Sequence, residues 1–184
     1  MKKIILSAFT ATSLLLPSAP VFAGPLTISL GIPQEHTFSE KNESGSKIEA
    51  DGSSGYFLGI KFPVGFGLGM DSYETKIKCT GCPKVSKLST SMYNLYYLLP
   101  IPIINLTLGI GTGKSQWESE GQVGDDGTAT QFYTSIGVPI MPLFDLHLSY
   151  RSISSKIEST SGSDKGKKDD VGGNIMGLGI GFNF

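Results

Sequence analysis

Apolar residues alternate with small or polar residues along most of the chain. The last segment shows this most clearly, because Met176, Leu178, Ile180 and Phe182 fall on one face while glycines and an asparagine fall on the other. Alternation at every second position is the pattern of a β-strand whose two faces meet different surroundings. No helical periodicity interrupts it. The sequence therefore predicts an all-β protein.

Eight segments share this pattern, and their connections alternate in length. We predict strands at residues 26–35, 55–63, 66–77, 88–99, 103–114, 129–139, 143–154 and 174–184. Three connections are short and contain proline, at Pro63, Pro100 and Pro139. The other four are long and hydrophilic, and they cover residues 36–54, 78–87, 115–128 and 155–173. Short turns at one end and long loops at the other are typical of barrels that span an outer membrane.

Charged residues gather in the long connections. Only Lys61, Asp71, Asp145 and Arg151 lie well inside predicted strands, and all four share the small or polar face. A Lys or Arg on the lipid face at the bilayer midplane costs about 2–4 kcal/mol, whereas a soluble barrel needs polar residues outside and bulky apolar residues inside. Backbone amides cannot stay unpaired in hydrocarbon, so the strands should close. We therefore predict an eight-stranded antiparallel up-and-down transmembrane β-barrel with a narrow lumen.

Composition limits the possible partners and cofactors. The 184 residues fit one domain, and their formal net charge of −1 leaves no basic surplus to neutralise a nucleic acid backbone. The two cysteines and two histidines leave few ways to build a metal centre. We expect no nucleic acid partner, no metal and no other cofactor.

The N-terminus has the features of a secretory signal peptide. Lys2 and Lys3 precede an apolar run over residues 4–16, and residues 21–23 place Val and Ala at the −3 and −1 positions of a cleavage site. The apolar run is shorter than the ~20 residues that a transmembrane helix needs. We predict a signal peptide at residues 1–23 and a mature barrel at residues 24–184, exported to a compartment where disulfides persist.

The whole mature chain resembles the small eight-stranded outer-membrane barrels of Gram-negative bacteria, the group that includes the outer-membrane protein X family and the membrane domain of outer-membrane protein A. The resemblance rests on the leader, the eight alternating segments, the alternation of connection lengths and the last strand, which ends in an aromatic residue. It implies that Phe184, Phe182 and Ile180 are recognised by the barrel-assembly machinery. It also implies a monomer that resides in the outer membrane, in contact with its lipid and lipopolysaccharide.

One predicted strand carries a candidate catalytic set. Asp145, His147 and Arg151 share one face, and a carboxylate two residues from a histidine invites a catalytic interpretation. Residues i and i+2 are ~6.6–7 Å apart along a strand, and no third partner is identified. His147 and Ser149 also resemble the His-x-Ser element of outer-membrane lipid A deacylases, but there those residues face lipid. We favour an interior polar network of Lys61, Asp71, Asp145, His147 and Arg151 that satisfies buried charges.

Cys79 and Cys82 lie in the second long connection. A redox pair or a pair of metal ligands is possible, but no helix is predicted that would lower a thiolate pKa, and no second ligand pair is present. We predict a disulfide that closes a tight loop.

Taken together, these patterns predict a non-enzymatic outer-membrane barrel with four long extracellular loops and a structural or surface-interaction role. The alternatives are a narrow channel for ions or small solutes, a lipid A-modifying enzyme, and a secreted soluble barrel.

Overall fold

A computed structural model describes residues 26–38, 48–79, 86–101, 104–119, 122–141, 143–158 and 168–184. Its strands are β1 Thr27–Phe38, β2 Ile48–Lys61, β3 Phe66–Cys79, β4 Ser86–Ile101, β5 Ile104–Ser119, β6 Gln122–Met141, β7 Phe144–Glu158, β8 Lys168–Asp170 and β9 Gly173–Asn183. In these ranges, no helix is long and apolar enough to cross a membrane.

The strands form one closed antiparallel sheet. From β1 to β7, each strand pairs with the next one along the chain. β9 pairs with β7 on one side and with β1 on the other, which closes the cylinder. The short β8 pairs with the last residues of β7 and continues the position of β9, so the wall has eight strands. The predicted eight-stranded up-and-down barrel is confirmed.

Burial alternates along the strands as the sequence predicts. In β7, buried residues from Asp145 to Ile157 alternate with exposed ones from Leu146 to Glu158. The large apolar side chains that point outward remain exposed; Leu68 is 57% exposed and Leu148 is 52% exposed. They form a continuous band around the cylinder, which we call the apolar belt. It includes Leu30, Ile32, Tyr56, Leu58, Ile60, Phe66, Leu68, Tyr93, Leu95, Tyr97, Ile110, Phe132, Ile136, Val138, Leu146, Leu148, Tyr150, Met176, Leu178 and Ile180.

The belt lies toward the end of the barrel that carries the short connections, which we call the turn end. The first of these turns is closed by two backbone hydrogen bonds, from the Phe62 amide to the Phe66 carbonyl at 2.7 Å and from the Gly65 amide to the Phe62 carbonyl at 3.0 Å. Gly65 has φ of 86°, a conformation that favours glycine. The opposite end, which carries the longer connections, is the loop end.

Several strands continue past their predicted bounds at the loop end. β2 begins at Ile48 and β6 at Gln122, while β5 reaches Ser119 and β7 reaches Glu158. Parts of the segments predicted as long connections are therefore strand. The reason is that the alternation inverts above the belt, where apolar side chains point inward. A pattern of outward apolar residues therefore ends before the strand does.

The interior of the loop-end half contains an apolar cluster as well as buried polar side chains, among them His36, Thr75 and Thr90. Ile77, Leu88, Ile157 and Val171 are buried against each other, and Phe38 and Trp117 pack on them. We call this cluster the upper plug. A second buried cluster, Phe57, Tyr73, Ile153 and Ile175, is also packed in the interior.

Glycines on the inner face make room for an aromatic ring in the turn-end half. Tyr96 is 4% exposed, and a Cβ on Gly69 or Gly109 would collide with its side chain. Large residues on some strands therefore fit against small residues on others, as expected for a narrow barrel.

Candidate functional site in the lumen

The middle of the lumen holds a buried ion pair. Arg151 on β7 donates from Nε to Oδ2 of Asp71 on β3 at 2.8 Å, and from Nη2 to Oδ1 at 3.4 Å. Asp71 is 0% exposed and Arg151 is 2% exposed. The two strands are not neighbours in the sheet, so the pair crosses the lumen. A buried charge needs a partner of opposite sign and further hydrogen bonds, and this geometry supplies both.

Neutral polar side chains complete this cluster. Gln131 on β6 donates from Nε2 to Asp71 Oδ2 at 2.8 Å and also contacts Asn94 Oδ1. Arg151 donates from Nη1 to Ser149 Oγ at 2.6 Å. We call Asp71, Arg151, Gln131, Asn94 and Ser149 the central cluster. Its residues come from β3, β4, β6 and β7, so its hydrogen bonds tie half of the wall together.

Two aromatic rings sandwich the guanidinium group of the central cluster. The Arg151 Cζ atom lies 3.4 Å from the centroid of the Phe57 ring and 4.6 Å from that of Tyr133. Both distances fall within the ~6 Å range of a cation–π interaction. Together with the ion pair, these contacts fill the lumen at this height with side chains.

A second polar cluster lies nearer the turn end. His147 Nδ1 is 3.3 Å from Asp145 Oδ1, and Asn105 Nδ2 donates to Asp145 Oδ2 at 3.5 Å. Lys61 faces the same region, is 8% exposed, and interacts electrostatically with Asp145. We call these four residues the turn-end cluster.

The five residues predicted to form one lumen network all point inward and are buried. They are divided between two clusters: Asp71 and Arg151 belong to the central cluster, whereas Lys61, Asp145 and His147 belong to the turn-end cluster. The hydrogen bonds of Arg151 go to Asp71 and Ser149, while His147 contacts Asp145. The candidate catalytic set is therefore not gathered at one point.

The sequence interpretation missed the neutral members of these clusters. Asn94, Gln131, Asn105 and Ser149 each lie on the inward face of a strand, and their position in the alternation would have identified them. The predicted lumen network contained only ionisable residues, although a buried ion also needs neutral hydrogen-bonding partners.

Two sets of predicted residues stand apart from the lumen. The Cys79 backbone ends β3, whereas Cys82 lies outside the described residues, so the disulfide stays a prediction. Phe184, Phe182 and Ile180 lie at the turn end, where Phe184 is 63% exposed and the Phe182 ring packs on Phe144 at 5.1 Å. Residues 1–23 also lie outside the described ranges. Within those ranges, no three His, Cys, Asp or Glu side chains are placed to hold a metal ion.

Solved structures share this architecture at low sequence identity. The outer membrane protein OprG from Pseudomonas aeruginosa matches with a TM-score of 0.56 and 11% identity, over 88% of this chain and 96% of that one. Neisserial surface protein A (NspA) matches with a TM-score of 0.55 and 15% identity, over 88% and 99%. The outer membrane protein AlkL matches with a TM-score of 0.53 and 12% identity, over 91% and 93%. The fold is that of the small outer-membrane β-barrels.

The sequence comparisons add no closer relation. No protein-family model matches this sequence, and no curated protein matches it either. The predicted resemblance to small outer-membrane barrels is confirmed at the level of fold.

Proposed function

We propose that this protein is a small integral protein of a Gram-negative outer membrane, and that it has a structural or surface-interaction role without catalysis. The apolar belt carries the proposal. Soluble monomeric proteins rarely expose contiguous apolar patches larger than a few hundred Å², and this belt encircles the whole barrel. Such a surface is stable in contact with the acyl chains of lipids.

The height of the belt supports this location. On β4 its outward residues run from Tyr93 to Ile101, which is roughly 25–30 Å of extended strand. A strand tilt of about 35–45° reduces that length to about 20 Å, close to the ~25 Å apolar band of outer-membrane barrels. Tyr56, Tyr93 and Tyr150 mark its loop-end border, where amphipathic rings favour a membrane interface.

The packing of the lumen favours a structural role over conduction. The central cluster and the two rings around Arg151 cross the interior, and the upper plug fills it farther toward the loop end. Water and ions would have to displace these buried groups to pass. A narrow channel is therefore the second candidate.

The orientation of His147 and Ser149 argues against a lipid A-modifying activity. Both residues are buried in the lumen, while Leu146 and Leu148 between and beside them face outward. A lipid substrate in the membrane would meet the leucines. In this proposal the signal peptide is removed, and Phe184, Phe182 and Ile180 direct assembly of a monomer.

Fractionation of cells that express the protein tests the proposal. We expect the protein in the outer-membrane fraction and a shift in its gel mobility on boiling, because a closed barrel stays compact in detergent until it is heated. A soluble periplasmic product would overturn the proposal. Steady unit conductance of the refolded protein in a planar bilayer, abolished by Gly109→Phe, would favour the channel instead.

A further inference from the structure

The backbone ladder between β1 and β2 stops halfway up the wall. Among the described residues, the two strands pair only over residues 27–31 and 57–61. Toward the loop end, the rest of β1 pairs with β9 alone and the rest of β2 pairs with β3 alone. We call the unpaired stretch, residues 32–38 of β1 and 48–56 of β2, the seam. The loop-end half of β1 is therefore held by backbone hydrogen bonds on one side only.

The sequence explains why no ladder forms across the seam. Pro33 on β1 has no amide hydrogen to donate, and the register of β1 against β9 shifts directly after it. On β2, Gly52 and Gly55 have φ of 98° and 143°, and Gly52 lies within a register shift of β2 against β3. Positive φ and bulges both turn peptide groups away from the regular ladder direction. Both strands thus depart from the geometry that pairing between them requires.

Three inward side chains connect the strands across the seam instead. His36 on β1 places Nδ1 2.8 Å from Oγ1 of Thr75 on β3, and Ser53 on β2 places Oγ 2.9 Å from the same oxygen. Thr75 is 0% exposed and His36 is 6% exposed. The rings of Phe38 and Tyr73 pack near the imidazole, with centroids 4.3 Å and 6.3 Å from its own. We call His36, Ser53 and Thr75 the seam bridge, because they join the loop-end half of β1 to two other strands.

The seam bridge suits a neutral imidazole. His36 Nε2 is buried and has no hydrogen-bond partner among the described residues. An imidazolium carries a hydrogen on both nitrogens, so protonation would bury a charge with an unpaired N–H group. His36 lies above Ile32, the last β1 residue of the apolar belt, and burial lowers its pKa to about 4 because the charged form loses its hydration.

In the part of the chain that the structure describes, no carboxylate faces the imidazole to compensate a charge. Tyr73 is the titratable residue that packs against it, and Ile175, its partner on β9, is apolar. On β8, the Asp170 side chain instead accepts a hydrogen bond from the Gly172 amide at 2.9 Å. The charged residues on the adjoining segments of β1, β2 and β3 lie on the outer surface; they are Glu35, Glu49, Asp51, Glu74, Lys76 and Lys78.

We propose that His36 is a pH switch: the neutral imidazole holds the loop-end half of β1 to β2 and β3, and its protonation releases this segment from the wall. The released segment binds a proton more tightly, since only the closed form buries the imidazole. Closure is therefore fully favoured above about pH 6.5, and the open fraction rises about tenfold for each pH unit below it, down to about pH 4. In the proposed orientation this segment lies outside the cell, so it would respond to external acid.

Amide hydrogen exchange of the refolded barrel tests the inference. Exchange is measured at about pH 7.5 and about pH 5 and divided by the intrinsic rate at each pH. In the β1–β9 ladder, at residues 35–38 and 173–176, we expect about 30-fold less protection at the lower pH. The internal control is the β4–β5 ladder at the height of Thr75, residues 86–90 with 115–119, which is fully paired and should keep its protection.

Three variants separate the seam bridge from the rest of β1. Thr75→Val removes the shared hydroxyl, and two lost hydrogen bonds at ~0.5–1.5 kcal/mol each predict about tenfold less protection already at the higher pH. The matched control is Thr37→Val, which changes an outward hydroxyl on β1 and should behave like the original protein. His36→Gln keeps a neutral hydrogen-bonding group, so we expect equal protection at both pH values.

Four results would overturn the inference. They are an unchanged β1–β9 ladder in the original protein, an equal response in the β4–β5 ladder, a pH response that survives His36→Gln, and equal effects of Thr75→Val and Thr37→Val. The boiling-dependent gel shift is recorded at both pH values. We expect it to persist, and its loss at the lower pH would replace local release with unfolding of the whole barrel. Since the shift also reports the closed barrel itself, failure of the switch is distinguishable from failure of the proposed function.

Discussion

The two halves of the barrel have opposite arrangements of apolar and polar side chains. In the turn-end half of β3, Leu68 faces outward while Gly67 and Asp71 face inward; in its loop-end half, Lys76 faces outward while Ile77 is buried inside. The outer face of one continuous strand is thus apolar in one half of the barrel and polar in the other. The lesson is that the solvent outside the wall, and not the strand itself, sets which face is apolar.

The inversion changes how each interior is stabilised. The turn-end half fills its lumen largely with paired charges, amides and aromatic rings. The loop-end half buries Ile77, Leu88, Ile157 and Val171 as a soluble protein does. Similar substitutions in the two halves should therefore change the free energy of unfolding by different amounts.

The largest expected effect is the loss of the central ion pair. Asp71→Asn leaves the Arg151 guanidinium buried without a carboxylate, and we expect the free energy of unfolding in lipid vesicles to fall by about 3–5 kcal/mol. Urea titration monitored by fluorescence of Trp117, the single tryptophan, measures it. Adding Arg151→Met should restore much of the loss. A cost below about 1 kcal/mol for Asp71→Asn would show that the pair does not hold this half together.

The second prediction compares outward positions on β7 in the two halves of the barrel. Leu148→Arg places a charge in the apolar belt, and we expect a loss of about 2–4 kcal/mol in the same vesicles. Ser154→Arg, also outward on β7 but above the belt, should stay within about 0.5 kcal/mol. Similar losses for both variants would contradict the assigned border between lipid and water.

A third comparison tests the interior on β4. Leu88→Ala opens a cavity in the upper plug, where Leu88 is 1% exposed, and we expect a loss of about 2–3 kcal/mol. Leu95 lies on the same strand but faces outward in the apolar belt, so lipid chains can fill the space that Leu95→Ala leaves. We therefore expect a clearly smaller loss for Leu95→Ala. The reverse order would mean that the plug is not a packed core.

The smallest effect concerns an ion pair on the outer face of the loop-end half. Lys87 and Glu74 are 3.1 Å apart, with side chains 33% and 35% exposed, so we expect a coupling energy of about 0–1 kcal/mol that decreases with salt. A double-mutant cycle with Lys87→Ala and Glu74→Ala at two salt concentrations measures it. A coupling as large as that of Asp71 and Arg151 would remove the contrast between exposed and buried pairs.

Much of the fold could be predicted because the belt imposes strict alternation. A single misplaced charge among residues such as Leu146, Leu148 and Tyr150 would be costly, so the pattern is clear over each spanning segment. The strand ends were predicted less well, because Ile77, Leu88 and Ile157 point inward and reverse the signal. The inward direction of Lys61, Asp71, Asp145, His147 and Arg151 could be predicted from the same alternation, but their pairing could not.

The sequence by itself determined the number of strands, their antiparallel order and the face that each residue of the apolar belt occupies, since these depend on local alternation and on the lengths of the connections. Only the tertiary structure decided which inward residues meet. Closure of the cylinder and the stagger between strands bring Asp71 and Arg151 together across the lumen, 80 residues apart in the chain. They also set Gly55 directly opposite Tyr73. Both depend on the register of the strands around the cylinder, which no local stretch of sequence contains.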